Sequence, residues 1–201
     1  MGCLMKTDFF WICPKDVKDQ SWLFYEIKEG KLVKNSFCQS MSCPRCGKFD
    51  ELSALISIDD LSISVNATAD WCLSGDGVIL VSSRIKHMII SEFLDECNFI
   101  DHSALGDYSI CIPANSFAVD AATSEMEFHR QCKACGRYRE TCGFPVVSKD
   151  LTANIAMPTT FFENVRGRVF FYACSKKFKA ALLKAKARGI YFDSVVMRSE
   201  T

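Results

Sequence analysis

Ser42-Cys43-Pro44-Arg45-Cys46-Gly47-Lys48 and Cys132-Lys133-Ala134-Cys135-Gly136-Arg137 are two copies of one pattern, a C-x-x-C pair closed by glycine and followed by a basic residue. Two thiolates on so tight a turn can both reach one ion at about 2.3 Å, and the glycine lets the backbone turn so that amides face the sulfurs. Two such pairs make a tetrahedral site. Four thiolates leave no coordination position open to substrate, so the expected ion is one structural zinc per chain, held by Cys43, Cys46, Cys132 and Cys135. The pairs are separated by 85 residues, far more than in a simple zinc ribbon, so the ion would clamp two distant parts of the chain. Two other readings stay open: a thioredoxin-like redox pair, which wants a single C-x-x-C at a strand-to-helix junction, and thiols that are merely buried. A structural zinc contributes on the order of 10–16 kcal/mol, against roughly 5–15 kcal/mol for a whole domain, so loss of metal is expected to unfold much of the protein.

The chain carries 12 cysteines in 201 residues. The apolar run Phe9 to Cys13 is too short for a secretory h-region, and Lys6 stands where a myristoylation signal needs Ser or Thr. The sequence therefore reads as cytoplasmic, with Met1 or Met5 as the start, and in a reducing compartment a disulfide framework is not expected. The other eight cysteines sit mostly among apolar neighbours and read as small core residues, with Cys142 and His129 close enough to the second pair to serve as spare ligands. The longest apolar stretch, Gly77 to Ile100, is broken by Arg84, Lys86, His87, Glu92, Asp95 and Glu96, which excludes a membrane-spanning helix there.

With 49% hydrophobic and 24% charged residues, the chain has enough apolar side chains to fold and lacks the signature of disorder. Early strands are expected at Phe9–Cys13, Trp22–Ile27 and Leu32–Cys38 around a Glu29-Gly30-Lys31 turn, then at Leu55–Ile58 and Leu61–Val65. Gly77–Val81 reads as a strand leading through a Ser82-Ser83 cap into a helix with Ile85, Met88, Ile89, Phe93 and Leu94 on one face. Arg168–Tyr172 repeats this, with Ser175 as cap, Phe178, Ala181, Leu182 and Ala185 as the buried stripe, Gly189 as the stop and Ile190–Met197 as a closing strand. The helix starts are offset by 93 residues and the cysteine pairs by 89. The fold class expected is α+β: two pseudo-repeated strand-helix-strand units with antiparallel strands, joined by two zinc knuckles. It is read as a single zinc-clamped domain over 1–201, with an internal duplication at about 39–113 and 128–201 and an N-terminal β piece at 5–38. The competing reading is that two common motifs recur by accident.

Lysine and arginine together number 24, as do aspartate and glutamate, which excludes a globally basic or acidic protein. The balance is uneven along the chain: residues 49–127 hold 14 acidic and two basic residues, and residues 128–201 hold 14 basic and five acidic. The acidic segment is either a solvated face or a surface complementary to a basic partner. As partner contacts the candidates are Asp59, Asp60, Asp95, Glu96, Asp101 and Asp107, with Phe99 or Tyr108 as anchors. The sequence shows no H-E-x-x-H, no Walker-type phosphate loop, no G-x-S-x-G elbow, no G-x-G-x-x-G and no deaminase signature. His87, His102 and His129 are scattered and read as ordinary residues, so no catalytic residue is assigned and the protein is expected not to be an enzyme.

The two CxxCG pairs, their wide separation, the tail Val169-Phe170-Phe171 through Ser175, Phe178 and Gly189 to Phe192, and the strand-helix at Val78–Leu94 together resemble the bacterial double-CxxCG-motif immunity family. These proteins are cognate inhibitors encoded beside toxins of polymorphic, contact-delivered systems. The resemblance implies a non-enzymatic protein whose partner is one cognate protein toxin that it binds and blocks; the residues themselves lead to the expectation of a cytoplasmic protein with no membrane partner, and a nucleic-acid partner is not expected. The alternative from another class is a zinc-ribbon nucleic-acid-binding protein using the basic C-terminal third, notably Arg130, Lys133, Arg137, Arg139 and Lys176 to Arg188. A third is a hydrolase with a cysteine nucleophile.

Overall fold

The computed structural model describes residues 4–15, 21–49, 51–56, 65–119, 124, 126–143, 145–147, 151–159, 162–163, 168–169 and 171–198. In chain order these form β1 (Leu4–Pro14), β2 (Tyr25–Lys28), β3 (Lys31–Lys34), α1 (Ser36–Ser40), α2 (Glu51–Ile56), β4 (Trp71–Leu73), β5 (Ile79–Ser82), α3 (Ser83–Glu92), β6 (Cys97–Ile100), β7 (Tyr108–Pro113) and β8 (Asn115–Phe117). There follow β9 (Glu127–His129), β10 (Glu140–Cys142), β11 (Ile155–Pro158), β12 (Phe162–Glu163), β13 (Arg168–Val169), β14 (Tyr172–Ser175), α4 (Lys176–Lys184) and β15 (Ile190–Arg198). The class is α+β, with helices outnumbered by short strands.

Two sheets carry the fold. One is four-stranded in the order β4-β5-β7-β6, antiparallel throughout. The other is five-stranded in the order β15-β1-β14-β11-β8, antiparallel except for the parallel β8–β11 pair. In both, a helix joins two strands that run the same way with one antiparallel strand between them: β5-α3-β6 around β7, and β14-α4-β15 around β1. The inserted strand differs in origin. β7 follows its unit directly, whereas β1 comes from the other end of the chain, pairing Phe9 to Ile12 with β14 and Phe10 to Pro14 with β15. The sequence groups β1 with the β2–β3 hairpin, but its hydrogen bonds lie in the C-terminal sheet.

The pleat divides the core. Ile12, Ile155, Tyr172 and Cys174 face the larger apolar cluster, while their neighbours Trp11, Ala156 and Ala173 face a second one with Phe117, Val147, Leu151 and Val195, as the two-residue side-chain period of a strand requires. Ile85 and Ile89 of α3 and Phe178, Ala181 and Leu182 of α4 enter the larger cluster. The helices lie side by side and antiparallel: the Arg84 guanidinium at the start of α3 donates to the Ala185 carbonyl after α4, and the Phe93 and Phe178 rings at the opposite ends are 4.8 Å apart.

Several segments differ from the sequence expectation, each for a local reason. Leu32–Cys38 breaks after Lys34, because the Asn35 side chain accepts from the Cys38 amide at 2.8 Å and starts α1. Residues 51–56 are helical although Leu55–Ile58 reads as strand; Ile58 and Leu61–Ser64 lie outside the described residues. Arg168–Tyr172 is replaced by two short strands, β13 and β14. Ser175 caps α4 by accepting from the Phe178 amide at 3.2 Å, but the Ser82 hydroxyl at the start of α3 donates to Asp70 at 2.9 Å instead of capping. Gly189 ends the α4 unit with φ of +87°, and a Cβ there would collide with the Ala69 side chain and the Trp71 carbonyl; only glycine lets this turn meet β4.

Asp70 ties the two units together. Its carboxylate, 3% exposed, accepts from Arg84 at 2.7 Å, the Arg188 amide at 3.0 Å and Arg188 Nε at 3.1 Å. Burial acts to raise its pKa, but these bonds and that from Ser82 outweigh it and hold the group at about 2. A carboxyl whose folded value lies below the ordinary 3.8 contributes stability that is fully present above 3.8 and is lost as pH falls through 2. Asp70→Asn should therefore lower stability at pH 7 by about 1.5–3 kcal/mol and flatten the acid limb of the stability curve between those values, as checked by denaturant titration across pH. An acid limb identical to that of the wild type would refute this role.

Candidate metal centre

The two CxxCG turns have the same local geometry. In the first, between α1 and α2, the Cys43 amide donates to the Lys48 carbonyl at 2.7 Å and the Gly47 amide to the Cys43 carbonyl at 2.8 Å. In the second, between β9 and β10, Cys132 donates to Arg137 and Gly136 to Cys132, both at 2.8 Å. Gly47 and Gly136 each have φ of +74°, a left-handed value that a side chain would strain. This is the turn the glycines are needed for, and it aims the amides inside each loop at the first sulfur.

The sulfurs converge. Cys43 Sγ lies 3.9 Å from Cys132 Sγ and Cys46 Sγ 3.5 Å from Cys135 Sγ, and all four lie within 4.8 Å of one another. A tetrahedron with metal–sulfur bonds of about 2.3 Å has edges of about 3.8 Å, so the donor set and its spacing fit one tetrahedral ion. Among the described residues this is the one group of three or more candidate ligands. His129 pairs with Glu127 at 3.1 Å, and Cys142 is exposed on β10; neither joins the cluster, so the spare-ligand reading is set aside.

Electrostatics distinguish the thiols. The amides of Cys46 and Arg45 hold the Cys43 thiol below its ordinary value, and those of Ala134 and Cys135 hold Cys132 at about 6. The first cysteine of each pair is thus ready to ionise. Burial and the three other thiols push Cys46 up to about 12. Four thiolates this close repel one another until a cation sits between them, which is what a bound metal supplies.

A second, metal-independent link lies beneath the sulfurs. Arg137, directly after the second turn, reaches the segment after the first, donating to the Phe49 carbonyl and to both oxygens of Glu51 at 3.2 and 3.1 Å. The Arg137 side chain is 14% exposed and that of Glu51 1%. Lys34 donates to the Gly47 carbonyl and to Ser42 Oγ at 3.0 Å and lies 4.7 Å from the centre of the Phe49 ring. The sequence motif marks Lys48 and Arg137 only as basic neighbours of the turns; that one of them is a brace is visible only in the fold.

Of the acidic candidates, Asp95 and Asp107 are exposed, Glu96 accepts from Asn115 at 3.1 Å and from the Asn154 side chain at 2.8 Å, and Asp101 is held by Lys86 at 2.6 Å and Ser109 at 2.5 Å. Asp59 and Asp60 lie outside the described residues. Of the two aromatic candidates, Phe99 lies under Lys86, 5.6 Å from its ammonium, and the Tyr108 hydroxyl bonds the Ala67 and Ala69 carbonyls, both at 3.0 Å. A cleft of about 410 Å³ brings together Lys86, His87, Asp101, His102, Tyr108 and Ser109; the sequence leaves the two histidines scattered because α3 and the loop before β7 meet only in the fold. No helix among the described residues is long and apolar enough to cross a membrane. No family model, curated protein or solved structure matches this chain.

Cys132 is buried, Cys43 is half-buried and Cys46 and Cys135 are exposed, and none of the four belongs to either apolar cluster, so the first effect of metal loss is expected at the two turns. Chelation should remove one equivalent of metal and abolish hydrogen-exchange protection around residues 42–49 and 127–142, while β5, β7 and β14 stay protected; global exchange on chelation would refute it. Separately, Arg137→Met should destabilise the metal-loaded protein by about 3–5 kcal/mol because it strands a buried carboxylate. The double change with Glu51→Leu should recover much of that in denaturant unfolding, and additive losses would show that the two do not form a pair.

Proposed function

We propose that this chain is an immunity protein: a non-catalytic cytoplasmic inhibitor that binds and neutralises a cognate bacterial toxin, on a scaffold clamped by one structural zinc. The observation that carries the reading is the pair of matching CxxCG turns, whose four sulfurs lie within 4.8 Å of one another. A centre filled by protein thiolates has no open position for substrate, so its ion holds shape rather than performing chemistry. Zinc suits the site because a tetrahedral four-sulfur set favours it and it has no redox chemistry of its own. The double-CxxCG pattern across most of the chain supplies the link to toxin inhibition. The like arrangement of β5-α3-β6 and β14-α4-β15 supports reading the halves as an internal duplication, with β1 standing where β7 stands in the other.

The nucleic-acid reading has less to stand on. Of the basic residues it needs, Arg137 is spent on Glu51 and Arg188 on Asp70. Lys177 lies over Phe93 at 5.4 Å and Lys179 over Phe10 at 3.5 Å. Arg130, Lys133, Arg139, Lys176, Lys184 and Lys186 remain exposed. The deciding experiment is co-expression with the toxin domain encoded beside this chain's gene. The chain should restore growth, and Cys46→Ser should weaken that protection. Failure to protect, together with salt-dependent nucleic-acid retention on a filter that is lost when Arg130, Lys133 and Arg139 are replaced, would favour the alternative.

A further inference from the structure

The glycine carbonyl that closes each CxxCG turn accepts from a side chain, and the two donors differ in charge. In the second turn Gln131, directly before Cys132, donates from Nε2 to the Gly136 carbonyl at 3.0 Å. In the first turn Ser42 stands in the place of Gln131, but its hydroxyl donates to the Cys38 carbonyl at 2.6 Å. The Gly47 carbonyl accepts instead from Lys34 Nζ, which also donates to Ser42 Oγ at 3.0 Å. One ammonium thus bridges the residue before Cys43 and the residue after Cys46. Lys34 comes from the end of β3, outside the CxxCG pattern, so the motif does not assign it.

The surroundings of Lys34 set it apart from the other cations near the sulfurs. Arg137 is matched by both oxygens of Glu51, and Arg45 and Lys133, inside the turns, are exposed to water. Lys34 is half-buried, and its charge is matched by no carboxylate among the described residues. Its ammonium lies 4.7 Å from the centre of the Phe49 ring and 6.0 Å from that of Tyr25. Burial lowers its pKa, while Cys38, Glu51 and Cys46 act to favour the charged form.

We infer that Lys34 is a positioning residue of the metal centre: its ammonium closes the first turn around Cys43 and Cys46 and supplies a positive charge that helps four thiolates keep one divalent ion. This inference rests on the zinc part of the reading above and not on the toxin. Four thiolates around a divalent ion carry a net negative charge, and a cation partly withdrawn from water offsets it more strongly than one at the surface. Groups that hold and polarise the surroundings of metal ligands typically change metal affinity by about 10–100-fold. Gln131 closes the second turn with a neutral amide, so the two turns of one molecule separate the effect of closure from the effect of charge.

The test titrates Zn2+ against a chromophoric chelator in the reduced, full-length chain, for the wild type, Lys34→Met, Lys34→Arg and Gln131→Ala. Lys34→Met keeps an apolar stem and loses both the charge and the donors; it should bind one equivalent of zinc about 10–100-fold more weakly than the wild type. Lys34→Arg restores the charge and should recover most of that loss, and Gln131→Ala should cost less than Lys34→Met. If Lys34→Met does not fold, Lys34→Gln, which also lacks the charge, takes its place in the comparison. Wild-type zinc affinity in the uncharged variant would overturn the assignment, because a residue that supports the metal-free and loaded forms equally leaves affinity unmoved. So would an arginine variant as weak as the uncharged one, or an equal loss in Gln131→Ala, since either would remove the role of charge. A wild-type chain that binds no zinc overturns the zinc reading and the role of Lys34 with it, whereas failure to bind a toxin touches neither.

Discussion

Burying an ionised carboxylate is affordable only beside a cation or a set of strong donors, and the acidic middle of this chain buries two that take cations from far along the chain. Glu51 takes Arg137, and Asp70 takes Arg188 together with Arg84. Removing Arg137 would take the cation from a carboxylate that is 1% exposed, whereas Asp70 would keep Arg84 if Arg188 were lost. The two pairs sit at opposite ends of the contact between early and late parts of the chain, one beneath the sulfur cluster and one where β4 meets the turn after α4. Between them they fix how residues 49–84 meet residues 137–188.

This pairing uses part of the charge asymmetry of the sequence. An acidic middle and a basic C-terminal third suggest two surfaces awaiting partners, and among the described residues Glu51 and Asp70 of the one are held by Arg137 and Arg188 of the other. A further buried carboxylate, Asp76, is held without a cation: it accepts from the Leu23 and Phe24 amides, each at 2.7 Å, and from Ser74 at 2.5 Å. Burial raises its pKa, so its role is to satisfy backbone donors where residues 23 and 24 pass beneath the loop before β5. Such acids are structural fittings, and counting them as an interaction surface overstates what a partner would meet.

The sulfur cluster belongs to the same junction but works differently. It joins turns whose local geometry is complete in itself, each closed by its own hydrogen bonds and its glycine. A tetrathiolate around a divalent ion carries a net negative charge, and Lys34 lies beside it, its own pKa lowered by burial. The metal would therefore draw together two finished pieces rather than organise a core, with Arg137 and Glu51 limiting how far they separate when it is absent.

The residues show different degrees of legibility. The CxxCG turns, the amphipathic helices α3 and α4 and the cap at Ser175 were readable because each depends on neighbours within a few positions: two thiols on one loop, apolar residues at helical spacing, a hydroxyl three residues before an amide. The convergence of the pairs was readable too, since four thiols in two such turns have one economical use. What the order of residues could not reveal was where chain-distant groups meet. β1 has the alternation of any half-buried strand, and nothing in it says that its partners are β14 and β15. Ser82 looks like a cap until Asp70 takes its hydroxyl, and Arg137 looks like a surface cation until Glu51 is found beneath it. Local propensity decided the elements of this protein; the pairing of strands and the cost of buried charge, which exist only between segments brought together from far apart, decided their arrangement.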